Sequence, residues 1–423
     1  MLQVYRYLTY FFFPLLIFLI YFRSIIKKED KTRFKEKIFS SHFNIKKDKK
    51  KKLIWFHAAS IGECLSIIPL IDEISNRHRN INFLITTVTL SSSKLLEIKL
   101  NQYHNVIHRF FPLDIENLTE NFLNNWAPDL VCFVDSEIWP NFLFKIKEKK
   151  IPLLLVNARL TKNSLNKWKI FPSFAKKVFN NFDLCLAASE ISKDNLSEFS
   201  VKKLKYIGNL KYSVQNSLDE LKDSNKNILN NYKTWCAAST HKGEEEIVLK
   251  THIELKKKYE NILTIIIPRH VSRSFYIRNL SKKFNLNAQI LNDEDLIDSN
   301  IDVLIINSFG VQPKYFNYCN NILIGKSFLK KNKTVGGQNP IEAAKLGCRV
   351  FHGPYVYNFQ EVYDLLSSYG VAEEINNEKE LAKKLIKNFG NPIIEGQKQI
   401  NLLNSYGERI LKETALEIDL YLK

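Results

Sequence analysis

Three stretches in the first half of this 423-residue chain set polar or charged residues directly after apolar, strand-like runs. The first is His57-Ala-Ala-Ser-Ile-Gly-Glu63. Ser60 and Gly62 make a tight strand-to-helix turn there. Ile67, Ile68, Ile71 and Ile74 continue as an apolar helical stripe, which Pro69 is expected to kink. Glu63 thus falls in a helix's first turn at the carboxyl end of a strand, where open α/β sheets bind ligands. Two readings stand: a general base, or a carboxylate favoured by the helix dipole. The second stretch is Asp135-Ser-Glu137-Ile-Trp-Pro140. Two acids so close together at a strand end are costly unless they cap, pair or react. The third, Asn157-Ala-Arg159, offers an arginine for a phosphate or carboxylate, or as a partner for those acids.

The second half repeats the theme. Ser239-Thr-His-Lys-Gly-Glu-Glu245 reads as a helix start, with Ser239 or Thr240 as cap and glutamates in the first turn. The free N–H groups of such a start also attract anions. Pro268-Arg-His270 ends another apolar run, and Arg269 either forms a forked pair with a phosphate or is a plain loop arginine. In Gly336-Gly-Gln-Asn-Pro-Ile-Glu342 the glycines permit a tight loop, Asn339 reads as an N-cap and Pro340 as the first helical residue. Glu342 would complete an Asn-x-x-Glu capping box. Such a loop can cradle a nucleotide phosphate, leaving Glu342 for ribose hydroxyls.

Positioning these groups falls to short Val/Ile/Leu-rich runs alternating with helical patterns. Expected strands are Leu53–Phe56, Asn82–Thr87, Asp129–Asp135, Pro152–Asn157 and Leu184–Ser189, then Thr234–Thr240, Leu263–Pro268, Val303–Ser308, Asn321–Ile324 and Arg349–His352. Continuous apolar runs with intervening helices are the α/β signature of buried parallel sheets. The polar segment Tyr212–Tyr232 separates the two sets. Two similar α/β halves imply two facing Rossmann-like domains with a cleft between them. The C-terminal stretch reads as helix, with Leu402, Leu403, Ile410, Leu411 and Leu416 on one face.

Composition narrows the partners. The formal charge is +18, mostly lysine, which favours polyanions: nucleic acid, anionic membrane or phosphorylated substrates. No nucleic-acid recognition module accompanies it. The six cysteines form no Cys-x-x-Cys pair; they read as reduced core residues, pointing to the cytosol. Tyr7 to Phe22 carries no charge and is followed by Arg23, Lys27 and Lys28. Aromatics at its end, where a cleavage site needs small residues, suit an uncleaved anchor over residues 1–28 or an in-plane membrane helix. A buried helix is the other reading. A basic tract, Lys46 to Lys52, links it to the first domain.

Together and in this order, HAASIGE, DSEIWPN, NARL, GNLKYS, STHKGEEE, PRH, GGQNPIEAA and GPYVYNF resemble the Kdo (3-deoxy-D-manno-octulosonic acid) transferases of Gram-negative lipopolysaccharide synthesis, from about residue 53 to 360. The resemblance implies a GT-B glycosyltransferase: an acceptor-binding domain over 50–212 and a CMP-sugar domain over 230–423 that includes the C-terminal helices. It implies inverting transfer of Kdo from CMP-Kdo to a lipid A precursor at the cytoplasmic face of the inner membrane. The partners would be CMP-Kdo, lipid A precursor and an anionic membrane surface, with no cofactor or metal. It casts Glu63 as general base and Asp135 and Lys211 as transition-state stabilisers. CMP would be bound by Pro268, Arg269, Phe309, Gly310, Val311, Asn339, Pro340, Ile341 and Glu342. Three positions depart from the family's habit: Asp135 for Glu, Gln338 for His and Val311 for Glu. The alternatives are a GT-B enzyme using a UDP- or GDP-sugar with a lipid acceptor, and a catalytically weak membrane-surface binding protein.

Overall fold

The structure, a computed structural model, describes residues 1–39, 50–214, 221–293, 295–308, 310–333, 335–390 and 396–422. The chain divides into two compact units, Met1–Val214 with Tyr406–Lys423, and Gln215–Ser405. Each holds a seven-stranded sheet in which all pairings are parallel.

In the first unit the strands are β1 (Lys52–His57), β2 (Ile81–Thr87), β3 (Val106–Phe110), β4 (Leu130–Val134), β5 (Leu153–Ala158), β6 (Leu184–Ala187) and β7 (Leu204–Tyr206). Their order is β3-β2-β1-β4-β5-β6-β7. The central strands are buried on both faces, which explains their unbroken apolar runs. Trp55 sits inside a ring of Phe122, Phe133 and Phe142, with centroids 4.8, 5.5 and 5.5 Å away. Its indole N–H donates to Thr86 Oγ1 at 2.8 Å, so this large core side chain leaves no polar atom unpaired.

The second unit holds β8 (Lys233–Thr240), β9 (Ile262–Pro268), β10 (Ala288–Leu291), β11 (Val303–Ile306), β12 (Asn321–Ile324), β13 (Arg349–His352) and β14 (Ala372–Glu374). Their order is β10-β11-β9-β8-β12-β13-β14. Trp235, Ile266, Leu323 and Phe351 belong to its core. All six cysteines are free and buried.

One expectation about the chain ends is corrected. The C-terminal stretch does not all belong with the second unit, because Tyr406–Lys423 packs in the first. The buried face of the helix Gly396–Asp419 runs through Leu403, Gly407, Ile410, Thr414, Ala415 and Ile418, whereas Leu402 and Leu416 are exposed. Gly407 lies against the backbone of Tyr212, where a Cβ would come within 2.2 Å of the carbonyl oxygen. Small residues therefore set that face.

At the other end, the apolar run forms two helices rather than one. It breaks into helices Leu2–Phe11 and Phe13–Ile25, bent by 52°. Pro14 in the first turn of the second helix has no N–H to continue the first. Among the described residues no single helix is long and apolar enough to cross a membrane, while this bent pair together meets that requirement by length and composition. Nor is the segment a loose tether. Tyr5 donates to Asp114 Oδ2 at 2.8 Å, Arg6 pairs with Glu116 at 2.8 Å, and Ile20 packs with Phe34 and Ile38. Its outer face keeps Tyr7 and Phe11 75% exposed.

Candidate active site

Strands β1, β4 and β5 are neighbours and parallel, so their carboxyl ends share one edge of the first sheet. The helix Ile61–Arg77 leaves that edge straight after β1 and continues through Pro69. Ser60 is its N-cap, and a reciprocal capping box forms with Glu63. Glu63 accepts from Ser60 Oγ at 2.6 Å and from the Ala59 N–H at 2.7 Å. Capping alone would explain a carboxylate here. The electrostatics add something that capping does not need. Burial and then the charge of Asp135, with a smaller push from Glu137, raise the Glu63 pKa despite the Ser60 bond. The carboxylate is thus more basic than an ordinary glutamate.

Asp135 follows β4 with φ +60°, and Asn157 lies in β5 with φ +53°. Both are outside the usual range for non-glycine residues, though Asp and Asn tolerate it best. Strain of this kind gathers at functional sites. Asp135 is held from two sides. Lys211 Nζ lies 2.9 Å from Oδ2, a part-buried ion pair, and the Asn157 side-chain amide donates to Oδ1. Asn157 Oδ1 in turn accepts the Leu210 N–H at 2.8 Å. A Cβ on Gly62 would lie 3.7 Å from Lys211 Cε, which puts the lysine stem beside the turn that bears Glu63. Glu63, Asp135 and Lys211 therefore form one cluster. The sequence offers Asn157 only within a segment for a phosphate or carboxylate contact; the structure makes it the link between Asp135 and Leu210.

Glu137 faces another way. Its carboxylate accepts from Trp139 Nε1 at 2.8 Å and lies 3.2 Å from His57 Nε2. Burial alone would raise its pKa, but the His57 bond and charge and the indole N–H hold it below the ordinary value. His57 stacks on Phe111 at 3.8 Å. The acids of Asp135-Ser-Glu137 are thus split between Lys211 and His57. Arg159 is fixed here through its backbone: its N–H donates to the Asp135 carbonyl at 3.0 Å, and its carbonyl accepts from Ser136 Oγ.

In the second unit the candidate residues gather at the carboxyl ends of β8, β9, β12 and β13. Pro268 ends β9, and the Arg269 N–H donates to the Thr240 carbonyl at 3.1 Å; the Arg269 side chain is exposed. His241 lies 6.0 Å from His270. Burial first, then the charges of Lys326, His270 and Arg269, lower its pKa. The cluster is therefore cationic. Gln312 Nε2 bonds Ser239 Oγ at 3.0 Å, tying the segment after Val311 to the β8 end. Val311 is the N-cap of helix Gln312–Phe316, and Gly310 has φ +74° in open space. Phe309 lies outside the described residues.

Two local readings are corrected. Neither Ser239 nor Thr240 caps the helix Glu244–Lys256; its N-cap is Gly243, at φ +101°. Its first acids turn to other work. Glu244 accepts the N–H groups of His241, Lys326, Ser327 and Phe328, and Glu245 pairs with Arg273 at 2.8 Å. The second correction concerns Asn339, Pro340, Ile341 and Glu342. The helix Ile341–Lys345 begins one residue later than expected, with Pro340 as N-cap, so no capping box forms. Asn339 Oδ1 instead accepts the Ile341 N–H at 3.1 Å. The Glu342 carboxyl has no donor among the described residues, and burial pushes its pKa up to about 7. Gly336 is enforced by packing: a Cβ there would come within 2.1 Å of the Tyr355 carbonyl oxygen. Gly337 N–H donates to the Lys326 carbonyl at 2.8 Å, which joins this loop to the cationic cluster. Among the described residues no group of three or more His, Cys, Asp or Glu side chains is placed to hold a metal ion.

Residues 32–214 match the family model described as 3-deoxy-D-manno-octulosonic-acid transferase (kdotransferase). The 3-deoxy-D-manno-octulosonic acid transferase of Rickettsia bellii is 33% identical over 84% of this chain and 82% of its own length. That of Haemophilus influenzae is 27% identical over 85% and 83%. Among solved structures, a UDP-N-acetylglucosamine 2-epimerase superposes with TM-score 0.58 at 17% identity, covering 88% of this chain and 97% of the other. Anabaena HepE, solved in complex with UDP and glucose, does so with TM-score 0.55 at 13% identity, covering 88% and 99%. These two likenesses concern the fold alone, two parallel-sheet α/β units of GT-B-like kind. The carboxylate cluster, the parallel sheets and the relatedness over most of both chains converge, and the chain belongs to the 3-deoxy-D-manno-octulosonic acid transferase family of glycosyltransferases.

Proposed function

We propose that the protein transfers Kdo from CMP-Kdo to a hydroxyl of a lipid A precursor (lipid IVA), with inversion, at the cytoplasmic face of the inner membrane, as a step of lipopolysaccharide core synthesis. No metal or cofactor takes part in this reading. The observation that carries it is the Glu63 carboxylate, desolvated and raised in pKa beside the Asp135–Lys211 pair in a chain of this family.

Glu63 takes the proton of the acceptor hydroxyl as its oxygen bonds the anomeric carbon of Kdo. The bond from that carbon to the CMP phosphate oxygen breaks, and its electron pair leaves with CMP. The transition state is oxocarbenium-like, as in glycoside hydrolysis. Asp135 and Lys211 stabilise its developing charges. Arg269 meets the phosphate, Gly310 and Val311 supply backbone contacts, and Glu342 accepts from ribose hydroxyls. The half-buried, partly desolvated Glu342 carboxyl supports that last role, because an acceptor so placed gains from a donor. The exposed aromatic face of the N-terminal helix pair supports a membrane location, with Arg23, Lys27 and Lys28 toward anionic headgroups.

The test is incubation of the protein with CMP-Kdo and lipid IVA, with products read by mass spectrometry. A product heavier by one or more Kdo residues is expected. An unchanged acceptor, with the protein folded and CMP-Kdo intact, would overturn the proposal.

A further inference from the structure

A second surface of the first unit has the chemistry of a bilayer contact, far in sequence from the N-terminal helices. Helices Lys162–Trp168 and Pro172–Phe179 follow β5 and meet in a short turn. The pair is firmly seated. Leu165, Ala175, Val178 and Phe179 are buried, and the Trp168 ring lies 5.4 Å from Phe179. The turn is closed by its own backbone: the Phe171 N–H donates to the Trp168 carbonyl at 3.2 Å, and the Ala175 N–H to the Phe171 carbonyl at 2.9 Å.

Yet this ordered turn holds its two largest apolar side chains out in solvent. Ile170 is 67% exposed and Phe171 53%. Around them stand Lys162, Lys167, Lys169, Lys176 and Lys177, all exposed, and residues 160–182 contain no Asp or Glu. One of the five, Lys169, is paired, with Glu198 at 2.8 Å. An apolar tip in a cationic collar is the pattern of interfacial insertion into anionic lipid. An uncharged partner would match the apolar tip alone; the lysine collar, in which Glu198 pairs with Lys169, selects a surface of negative charge.

The location agrees. The helix Pro172–Phe179 packs against Pro140–Glu148. The first N-terminal helix is tied to that same helix: Arg6 Nε bonds Asn141 Oδ1 at 3.3 Å, and Tyr5 bonds Asp114, whose carboxylate accepts the N–H groups of Asn141 and Phe142. Both apolar projections thus flank one helix, which follows the loop of Asp135 and Glu137.

We propose that the Ile170–Phe171 turn is a second membrane-contacting element, which inserts these two side chains into the interface of an anionic bilayer while the surrounding lysines meet lipid phosphates. It deepens the membrane-surface reading above and rests on it only for the occupant. Two contacts on one rigid unit fix its orientation, where a single helix pair would leave it free to tilt.

The test uses the full chain carrying Phe171→Cys with a nitroxide on the new thiol; the six native cysteines are buried and will label poorly. Collision of the nitroxide with oxygen and with a water-soluble nickel chelate reports depth. The expected result, with phosphatidylglycerol-containing vesicles and no donor sugar present, is a several-fold fall in nickel accessibility and a rise in oxygen accessibility. A label at Lys257→Cys should stay water-like. Changing Lys162, Lys167, Lys176 and Lys177 to Gln should weaken vesicle binding by at least about tenfold, at unchanged melting temperature. If the chain binds these vesicles while position 171 remains fully accessible to nickel, the turn is not inserted and the proposal falls. It falls also if the chain binds no vesicles. Neither result depends on sugar transfer, so the proposed reaction stands or fails separately.

Discussion

Asn157 donates its side-chain amide to Asp135 while its carbonyl oxygen accepts the Leu210 N–H at 2.8 Å, so one side chain joins the β4 end to the turn that carries Lys211. Asn157→Gly accepts the same φ of +53° and removes both bonds. Lys211 would then hold Asp135 alone, at a backbone angle that favours neither neighbour. We expect kcat to fall roughly 10- to 100-fold, as small misplacements at a reacting centre do. The KM for CMP-Kdo should change little. A KM effect without a kcat effect would show that Asn157 serves only the fold.

Glu63→Gln keeps the capping geometry and removes the base. Transfer should drop by at least about 10²-fold, the range of general-base contributions, with CMP affinity nearly unchanged in calorimetry. The acid limb of the kcat/KM profile should report Glu63, because only its ionised form accepts a proton. Burial and the negative charge of Asp135 raise that pKa. Asp135→Asn removes the charge, so the limb should move to lower pH even as the maximal rate falls. A limb that stays put, or moves up, contradicts the assignment.

Burial pushes the Glu342 carboxyl up to about 7 with no donor to offset it. Ribose hydroxyls donating to the ionised form would lower that pKa on binding. At pH 7 the free protein carries about half a proton there, which CMP binding should release. Calorimetry in buffers of different ionisation enthalpy measures this. Glu342→Gln should abolish the release and weaken binding. Arg269→Ala should weaken CMP binding by about tenfold to a few hundredfold without affecting proton release. Proton uptake in place of release would exclude Glu342 as an acceptor from the ribose.

Much of the fold was legible because central parallel strands carry continuous buried apolar runs, as β4 and β11 do along their whole length. The four strands missed, β3, β7, β10 and β14, are the sheet edges. They are short and partly exposed, and β3 carries His108 and Arg109, so no apolar run marks them. The Glu63 capping box was readable because Ser60 and Glu63 are near neighbours in sequence. The Asn339–Glu342 box was misread because Pro340 took the cap position itself. Asp135–Lys211 and Asp135–Asn157 are contacts between different strand ends, and no local spacing encodes them. Lys211 was named from family likeness alone.

The N-terminal helices should prove part of the first unit's stability. Asp114 is buried, and burial raises its pKa to about 6 against the donors Tyr5 Oη, Asn141 N–H and Phe142 N–H. A carboxyl whose folded pKa exceeds its unfolded value disfavours folding above the folded pKa, and the penalty fades as pH falls toward the unfolded one, 3.8. Tyr5→Phe removes a donor to the ionised form, raises that pKa further and enlarges the penalty. The loss should be about 1–3 kcal/mol at pH 8. For a unit of this size that corresponds to a fall of several degrees, roughly 2–4 °C per kcal/mol, in melting temperature. Near pH 4 Asp114 is protonated in both proteins, and the difference should largely vanish. Melting of the two proteins at pH 8 and pH 4 measures this, and equal melting at both would mean that Tyr5 does not reach Asp114 in solution. Vesicle binding by Tyr5→Phe should stay near normal, since the outward Tyr7, Phe11 and Phe18 are untouched.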